Sequence, residues 1–135
     1  MTELWQPILG YEGLYEVSNM GSVRSVDGER WNGQAIHRFK GRVLNPLGKN
    51  ARYFHVALSK NKKVKCRRIH ELVAEHFLPP CPGKRGRNGW HIDHINNNPK
   101  DNRAENLQWL THKENVYIKP KRKRDSLGRW VNNPI

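Results

Sequence analysis

The sequence predicts an α+β fold of small antiparallel ribbons with short helices. Three observations carry that reading. Only 36% of the 135 residues are apolar and the mean hydropathy is −0.92, so several small apolar clusters are expected rather than one large core. Residues 53–67 alternate with period two, the pattern of a strand pair. Helical spacing is confined to residues 69–78, and a helix start is spelled at Thr111-His112-Lys113-Glu114, a Thr at the N-cap with a Glu three residues later.

Taken in order, Tyr15-Glu16-Val17 and Ser22-Val23-Arg24-Ser25-Val26 read as two short strands. Ser18-Asn19-Met20-Gly21 forms the turn between them, with Gly supplying positive φ. Trp5, Tyr11 and Tyr15 supply a small aromatic core. Residues 27–50 are polar and Gly-rich; the segment HRFKGRVL, carrying Arg38, Lys40 and Arg42, reads equally well as strand or loop. In the next hairpin Phe54, Val56 and Leu58 alternate with Tyr53, His55, Ala57 and Ser59. Beyond a turn at Lys60-Asn61-Lys62, Val64 and Cys66 alternate with Lys63, Lys65 and Arg67. This implies one apolar and one basic face. A basic ribbon of that kind can grip phosphates along a groove, whereas a plain solvated face would only block edge pairing.

Ile69, Leu72, Val73, His76 and Phe77 mark a short amphipathic helix that stops at Pro79-Pro80. His70 and His76 are expected to be structural. A connector, CPGKRGRNG, places Lys84, Arg85 and Arg87 on a loop leading into the stretch from Trp90 to Tyr117. That stretch reads strand, long loop, strand, helix. Its loop is dense in Asn, Asp and Pro, which make turns and local side-chain bonds. Leu107-Gln108-Trp109-Leu110 is the second strand. Five of the six residues from Lys119 to Arg124 are basic, and such a block is disordered until an anion neutralises it.

The chain carries 25 Lys and Arg against 12 Asp and Glu, a net charge of +13. The expected partner is a polyanion, with nucleic-acid backbone the default. No apolar run approaches the ~18 residues of a spanning helix, and no signal peptide is apparent. The two cysteines, Cys66 and Cys81, exclude a four-Cys zinc site and suit free thiols in a reducing compartment.

Asp93 and His94 stand together, Asn106 follows His94 by twelve residues, and Asn115 follows Asn106 by nine. With its flanking apolar residues and cap, this arrangement resembles the HNH endonuclease family, whose ββα-metal site is a two-stranded ribbon on one helix around a single divalent metal. The resemblance implies that Asp93 and Asn115 are the metal ligands, that His94 is the general base, and that Asn106 ties down the loop carrying the base. His91 and His112 flank the site as possible accessory groups. The pattern of residues 4–26, W-x-x-I-x-G-Y-E-G-x-Y-x-V-S-N-x-G-x-V-R-S, is similar to a modular DNA-binding motif that precedes HNH domains in phage and intron-encoded nucleases.

The chemistry agrees. A phosphodiester repels hydroxide, and a hard cation, Mg²⁺ or Mn²⁺, neutralises the charge that develops on its oxygens. Such a cation takes oxygen ligands and keeps several waters, so a carboxylate and an amide suffice. A neutral imidazole is the side chain suited to take a proton from water near neutral pH. Adjacent residues of a regular strand face opposite ways, so Asp93 and His94 must sit at a strand end or bulge to reach one phosphate.

The expectation is therefore a metal-dependent DNA endonuclease, of homing or phage type, that nicks one strand and leaves 5′-phosphate and 3′-hydroxyl ends. It acts on double-stranded DNA as a monomer or homodimer, in the cytoplasm of a bacterial host if phage-encoded. Residues 1–50 would form the N-terminal DNA-binding motif with a basic extension, 51–118 the nuclease domain with its preceding hairpin and helix, and 119–135 a basic tail. Phosphate contacts are expected from Arg24, Lys63, Lys65, Arg67, Lys84, Arg85, Arg87, Lys121, Arg122, Lys123 and Arg124. Two rivals are a DNA-binding protein without catalysis on the same scaffold, and an RNA-binding protein suggested by charge alone. The second leaves the spacing of Asp93, His94, Asn106 and Asn115 unexplained.

Overall fold

The computed structural model describes residues 2–114, 123–124, 127 and 130–131. It divides into two compact units, one of Met1–Pro80 with His94–Gln108 and one of Cys81–Asp93 with Trp109–Ile135.

In the first unit, Trp5–Pro7 (β1), Tyr15–Ser18 (β2) and Val23–Ser25 (β3) make an antiparallel sheet in the order β1-β2-β3. The β2–β3 turn falls where the sequence places it, with Gly21 at φ 87°. The sheet's interior is aliphatic rather than aromatic: Ile8, Val17 and Val23 are fully buried. Tyr11 and Tyr15 meet edge to face at 5.9 Å, while Trp5 lies under the Arg24 guanidinium, 4.0 Å from its ring. Trp5, Tyr11 and Tyr15 are each half-buried, so the rings border this core rather than form it.

Gly28–Trp31 (β4) and Ile36–Phe39 (β5) form a separate hairpin, with Trp31, Ile36 and Phe39 exposed. The HRFKGRVL segment is thus strand in its first part. Beyond it the chain returns to β3, where the Ser25 amide donates to the Arg42 carbonyl.

His55–Lys60 (β6) and Lys63–Arg68 (β7) pair through a two-residue turn with Asn61 and Lys62 at φ 52° and 62°, the double positive φ of a type I′ turn. Val56 and Leu58 are buried, but Val64 and Cys66 are exposed. The register explains the departure from one apolar and one basic face. The short turn sets Lys60 opposite Lys63, so Leu58 faces Lys65 and Val56 faces Arg67. Cross-strand partners share a face, and the apolar residues of β6 therefore lie beside the basic residues of β7. Val64 and Cys66 fall on the other side.

The helix Ile69–Phe77 (α1) packs on β2 and β7 and buries Ile69, Leu72 and Val73 at i, i+3 and i+4. His76 in its last turn donates from Nδ1 to the Leu72 carbonyl at 2.6 Å and accepts from the Leu9 amide at Nε2, 3.0 Å. It is a structural clamp, as expected of its position. Ala104–Asn106 forms a 3-10 turn against α1.

Trp90–His94 (β8) pairs with Leu107–Thr111 (β9) in a two-stranded ribbon, and residues 112–114 are helical. Lys123–Arg124 (β10) and Trp130–Val131 (β11) pair antiparallel, while the rest of the basic block, residues 119–122, lies outside the described residues. Cys66 and Cys81 are free thiols. Among the described residues no helix is long and apolar enough to cross a membrane.

Candidate active site

His94 is the last residue of β8. The chain turns there: the Asn97 amide donates to the His94 carbonyl at 2.9 Å, and Asn97 takes φ 63°, a conformation Asn tolerates. The Asp93–His94 pair therefore stands at the end of β8, at the start of the loop. Asp93 and His94 are 9% and 7% exposed.

Between β8 and β9 the loop is held by side chains rather than by a backbone ladder. Asn106, itself buried, accepts the Asn96 amide at Oδ1, 3.0 Å. Its Nδ2 donates to Asn96 Oδ1 at 3.0 Å and to the Asp101 carbonyl at 2.8 Å. The Ile95 amide donates to the Asn106 carbonyl at 2.8 Å. One side chain at the loop's end thus fastens its start and its middle. The Asn98 amide donates to Asn96 Oδ1 at 2.9 Å, and Lys100 Nζ donates to the Gly48 and Lys49 carbonyls at 2.8 and 2.6 Å.

Asp101 accepts from Arg103 at both carboxylate oxygens, each at 2.8 Å, and from Asn96 Nδ2 at 2.8 Å. The Arg103 hydrogen bonds hold its carboxyl at about 2, below the usual 3.8. The folded value is the lower, so the stabilisation is present above about pH 4 and is lost as pH falls toward 2. Arg103 is 41% exposed, so solvent screens the pair and its contribution to stability is small. Asp101→Asn should therefore make thermal stability less steep between about pH 4 and 2; an acid limb identical to wild type contradicts this.

The His94 ring has three neighbours in the first unit. Nε2 meets Asn102 Oδ1 at 2.9 Å, the Tyr53 ring stacks at 6.2 Å, and the His70 ring approaches edge-on at 5.3 Å. The guanidinium groups of Arg52 and Arg68 lie 5.4 and 5.3 Å from the Tyr53 ring. Sequence reading singled out neither Asn102 nor these two arginines. Asn102 is one of several similar residues in a polar run, and only the folded loop distinguishes it.

In the second unit, Thr111 and Glu114 make the expected capping box: Thr111 N donates to Glu114 Oε2 at 3.1 Å and Glu114 N donates to Thr111 Oγ1 at 3.2 Å. Asn115 lies outside the described residues, as do Lys121 and Arg122, while Lys123 and Arg124 are described as backbone only. His91 and His112 face each other edge-on at 6.4 Å; His91 Nε2 is buried without a hydrogen-bond partner among the described residues. Lys84, Arg85 and Arg87 are exposed. Their loop is fixed at both ends, with the Trp90 amide donating to the Lys84 carbonyl at 2.9 Å and Arg85 lying 5.3 Å over the Trp109 ring.

The remaining basic candidates differ in how they are held. Lys63 and Lys65 are exposed on β7. Arg67 binds both Glu75 oxygens at 2.8 and 3.0 Å, and Arg24 pairs with Glu16 at 2.8 Å besides covering Trp5. No cluster of three or more His, Cys, Asp or Glu among the described residues forms a metal site. The expected donor pair is instead one carboxylate and one amide, whose two oxygens fit a hard divalent ion that retains water.

A two-stranded ribbon leading through a capped helix start, with Asp-His at a strand end and Asn at the loop's close, is the arrangement of an HNH nuclease. Residues 67–117 match the HNH endonuclease family and residues 3–59 match the NUMOD4 motif, and the chain belongs to the HNH endonuclease family. Members of this family are generally dependent on a divalent metal.

Among its relatives, the DNA endonuclease I-HmuI of Bacillus phage SP01 is 36% identical over 112 residues, covering 83% of this chain and 55% of that protein. The uncharacterised HNH endonuclease L247 of Acanthamoeba polyphaga mimivirus is 35% identical over 118 residues, 85% of this chain and 25% of that protein. A solved structure of DNA binding and cleavage by the HNH homing endonuclease I-HmuI superposes with a TM-score of 0.62 at 34% identity, covering 85% of this chain and 56% of that one. The chain thus spans little more than half of the length of I-HmuI and a quarter of that of L247.

Proposed function

We propose that this chain is a metal-dependent DNA endonuclease that nicks one strand and leaves 5′-phosphate and 3′-hydroxyl ends. The observation that carries the reading is Asp93 and His94 at the end of β8, beside a loop that Asn106 fastens through three side-chain hydrogen bonds. The kinship with I-HmuI, a phage DNA endonuclease, supports DNA as substrate and a homing or phage-type role; if phage-encoded, the protein works in the cytoplasm of a bacterial host.

Asp93 and Asn115 would hold one Mg²⁺ or Mn²⁺, which supplies neutralisation of the phosphate charge when bound. His94 takes a proton from the attacking water. Asn106 keeps the His94 loop in place, and His91 and His112 border the ligand pair as accessory groups. Residues 1–50 serve as the DNA-binding motif, 51–118 as the nuclease domain and 119–135 as a basic tail.

Phosphate contacts come from Lys63 and Lys65 on β7, from Lys84, Arg85 and Arg87 on the connector, and from Lys121, Arg122, Lys123 and Arg124. Arg24 and Arg67 contribute charge from positions braced by Glu16 and Glu75. Each neutralised phosphate releases counterions and steepens the salt dependence of binding. One active site cuts one strand, so a monomer nicks duplex DNA and a double cut needs a homodimer or two visits.

The test is a supercoiled plasmid incubated with Mg²⁺ or Mn²⁺, with and without chelator. Nicked circles that ligase seals directly, and that chelator prevents, are the expected products. Salt-dependent DNA binding with no nicking in either metal would instead establish the non-catalytic reading.

A further inference from the structure

We infer that Asn102 is the positioning residue for His94, and that the N-terminal turn Ser18–Ser22 holds Asn102 in place. The inference rests on the reading of His94 as general base. It adds which ring nitrogen does that work and what part of the chain sets it.

An amide oxygen can only accept, so with Asn102 turned Oδ1 toward the ring, 2.9 Å from His94 Nε2, the contact places the proton on Nε2. The neutral ring then carries its lone pair on Nδ1. Asn102 thereby selects the tautomer as well as the ring's orientation, the role an orienting group plays for a histidine base. The contact is shielded from water, with Asn102 only 5% exposed. Tyr53 and His70 pack against the same ring and limit its rotation.

Asn102 is itself held from the N-terminal segment. A Cβ placed on Gly21 would lie 3.1 Å from the Asn102 Cβ, carbonyl carbon and carbonyl oxygen, so the turn's backbone lies directly against that residue. Two residues on, the Ala104 amide donates to the Asn19 carbonyl at 2.7 Å. The turn is rigid for its own reasons. Ser18 Oγ accepts the Met20 and Ser22 amides at 3.2 and 3.1 Å and donates to Glu3 at 2.8 Å. Asn19 Oδ1 accepts the Leu4 amide at 2.8 Å, and Asn19 Nδ2 donates to the Thr2 carbonyl at 3.2 Å. The segment matched by the NUMOD4 motif therefore braces the nuclease loop in addition to any part it plays in binding DNA.

The experiment uses the full chain in two measurements. The first is the ¹⁵N spectrum of the histidine side chains in the wild-type protein. His94 protonated at Nε2 supports the inference, and His94 protonated at Nδ1 overturns it without any variant needing to fold. The second is single-turnover nicking by Asn102→Leu, Asn102→Asp and Gly21→Ala across a range of DNA concentrations. Asn102→Leu should lower the saturating rate about 10- to 100-fold, the usual cost of losing an orienting partner, with half-saturating DNA unchanged.

Asn102→Asp keeps the acceptor and should restore most of that rate. Gly21→Ala should shift the saturating rate in the same direction as Asn102→Leu. Equal rates for the Leu and Asp variants overturn the inference. His94→Ala, run beside them, separates the two failures. If it nicks like wild type, the base assignment falls; if it is inactive while Asn102→Leu is unimpaired, only the positioning role falls.

Discussion

Replacing His94 with Ala should lower the single-turnover nicking rate about 10²- to 10⁴-fold, the range contributed by a positioned general base. Affinity for duplex DNA should stay near wild type, because His94 is buried and carries none of the exposed positive charge. Gel-shift titration beside the nicking assay separates these effects. A large loss of affinity would mean that the ring supports the fold rather than the chemistry. An unchanged rate would remove it from the mechanism altogether.

Asn106→Ala should give the largest loss of stability in the loop. The substitution removes a side chain only 5% exposed and strips the Asn96 amide of its acceptor and the Asp101 carbonyl of a donor, while Asn96 Oδ1 keeps the Asn98 amide. Buried groups left without partners cost about 1–3 kcal/mol each, and water reaching the opened loop offsets part of that. A net loss of about 2–3 kcal/mol in urea unfolding follows. Nicking should fall as well, since the segment displaced begins immediately after His94. Hydrogen exchange at the Ile95 and Asn96 amides should accelerate first. Wild-type stability together with a wild-type rate would show that the loop does not depend on this side chain.

Much of this architecture is legible in the sequence, for identifiable reasons. The turn at Gly21, the Asn61-Lys62 hairpin, the α1 stop at Pro79 and the Thr111–Glu114 cap depend on backbone chemistry confined to a few neighbouring residues. Those features are visible in any window that contains them. The β6–β7 faces were not legible, because alternation within each strand says nothing about register between strands. That is decided by a two-residue turn that seats Val56 opposite Arg67.

Arg24 shows a related limit. Its neighbours in sequence do not reveal Glu16 and Trp5, which reach it across β2 and β1. At the site, the spacing of Asp93, His94, Asn106 and Asn115 could be read in one dimension. The links from Asn19 to Ala104 and from Gly21 to Asn102 each span some eighty residues and carry no local signature.

The account depends on a carboxylate and an amide oxygen sharing one divalent cation beside an imidazole that activates water. Mn²⁺ binding to the protein–DNA complex, followed by the loss of the free-ion EPR signal, tests this most directly. Wild type should take up one Mn²⁺ per active site, and Asp93→Ala and Asn115→Ala should each weaken that binding while His94→Ala retains it. Identical Mn²⁺ uptake by wild type and Asp93→Ala would contradict the account.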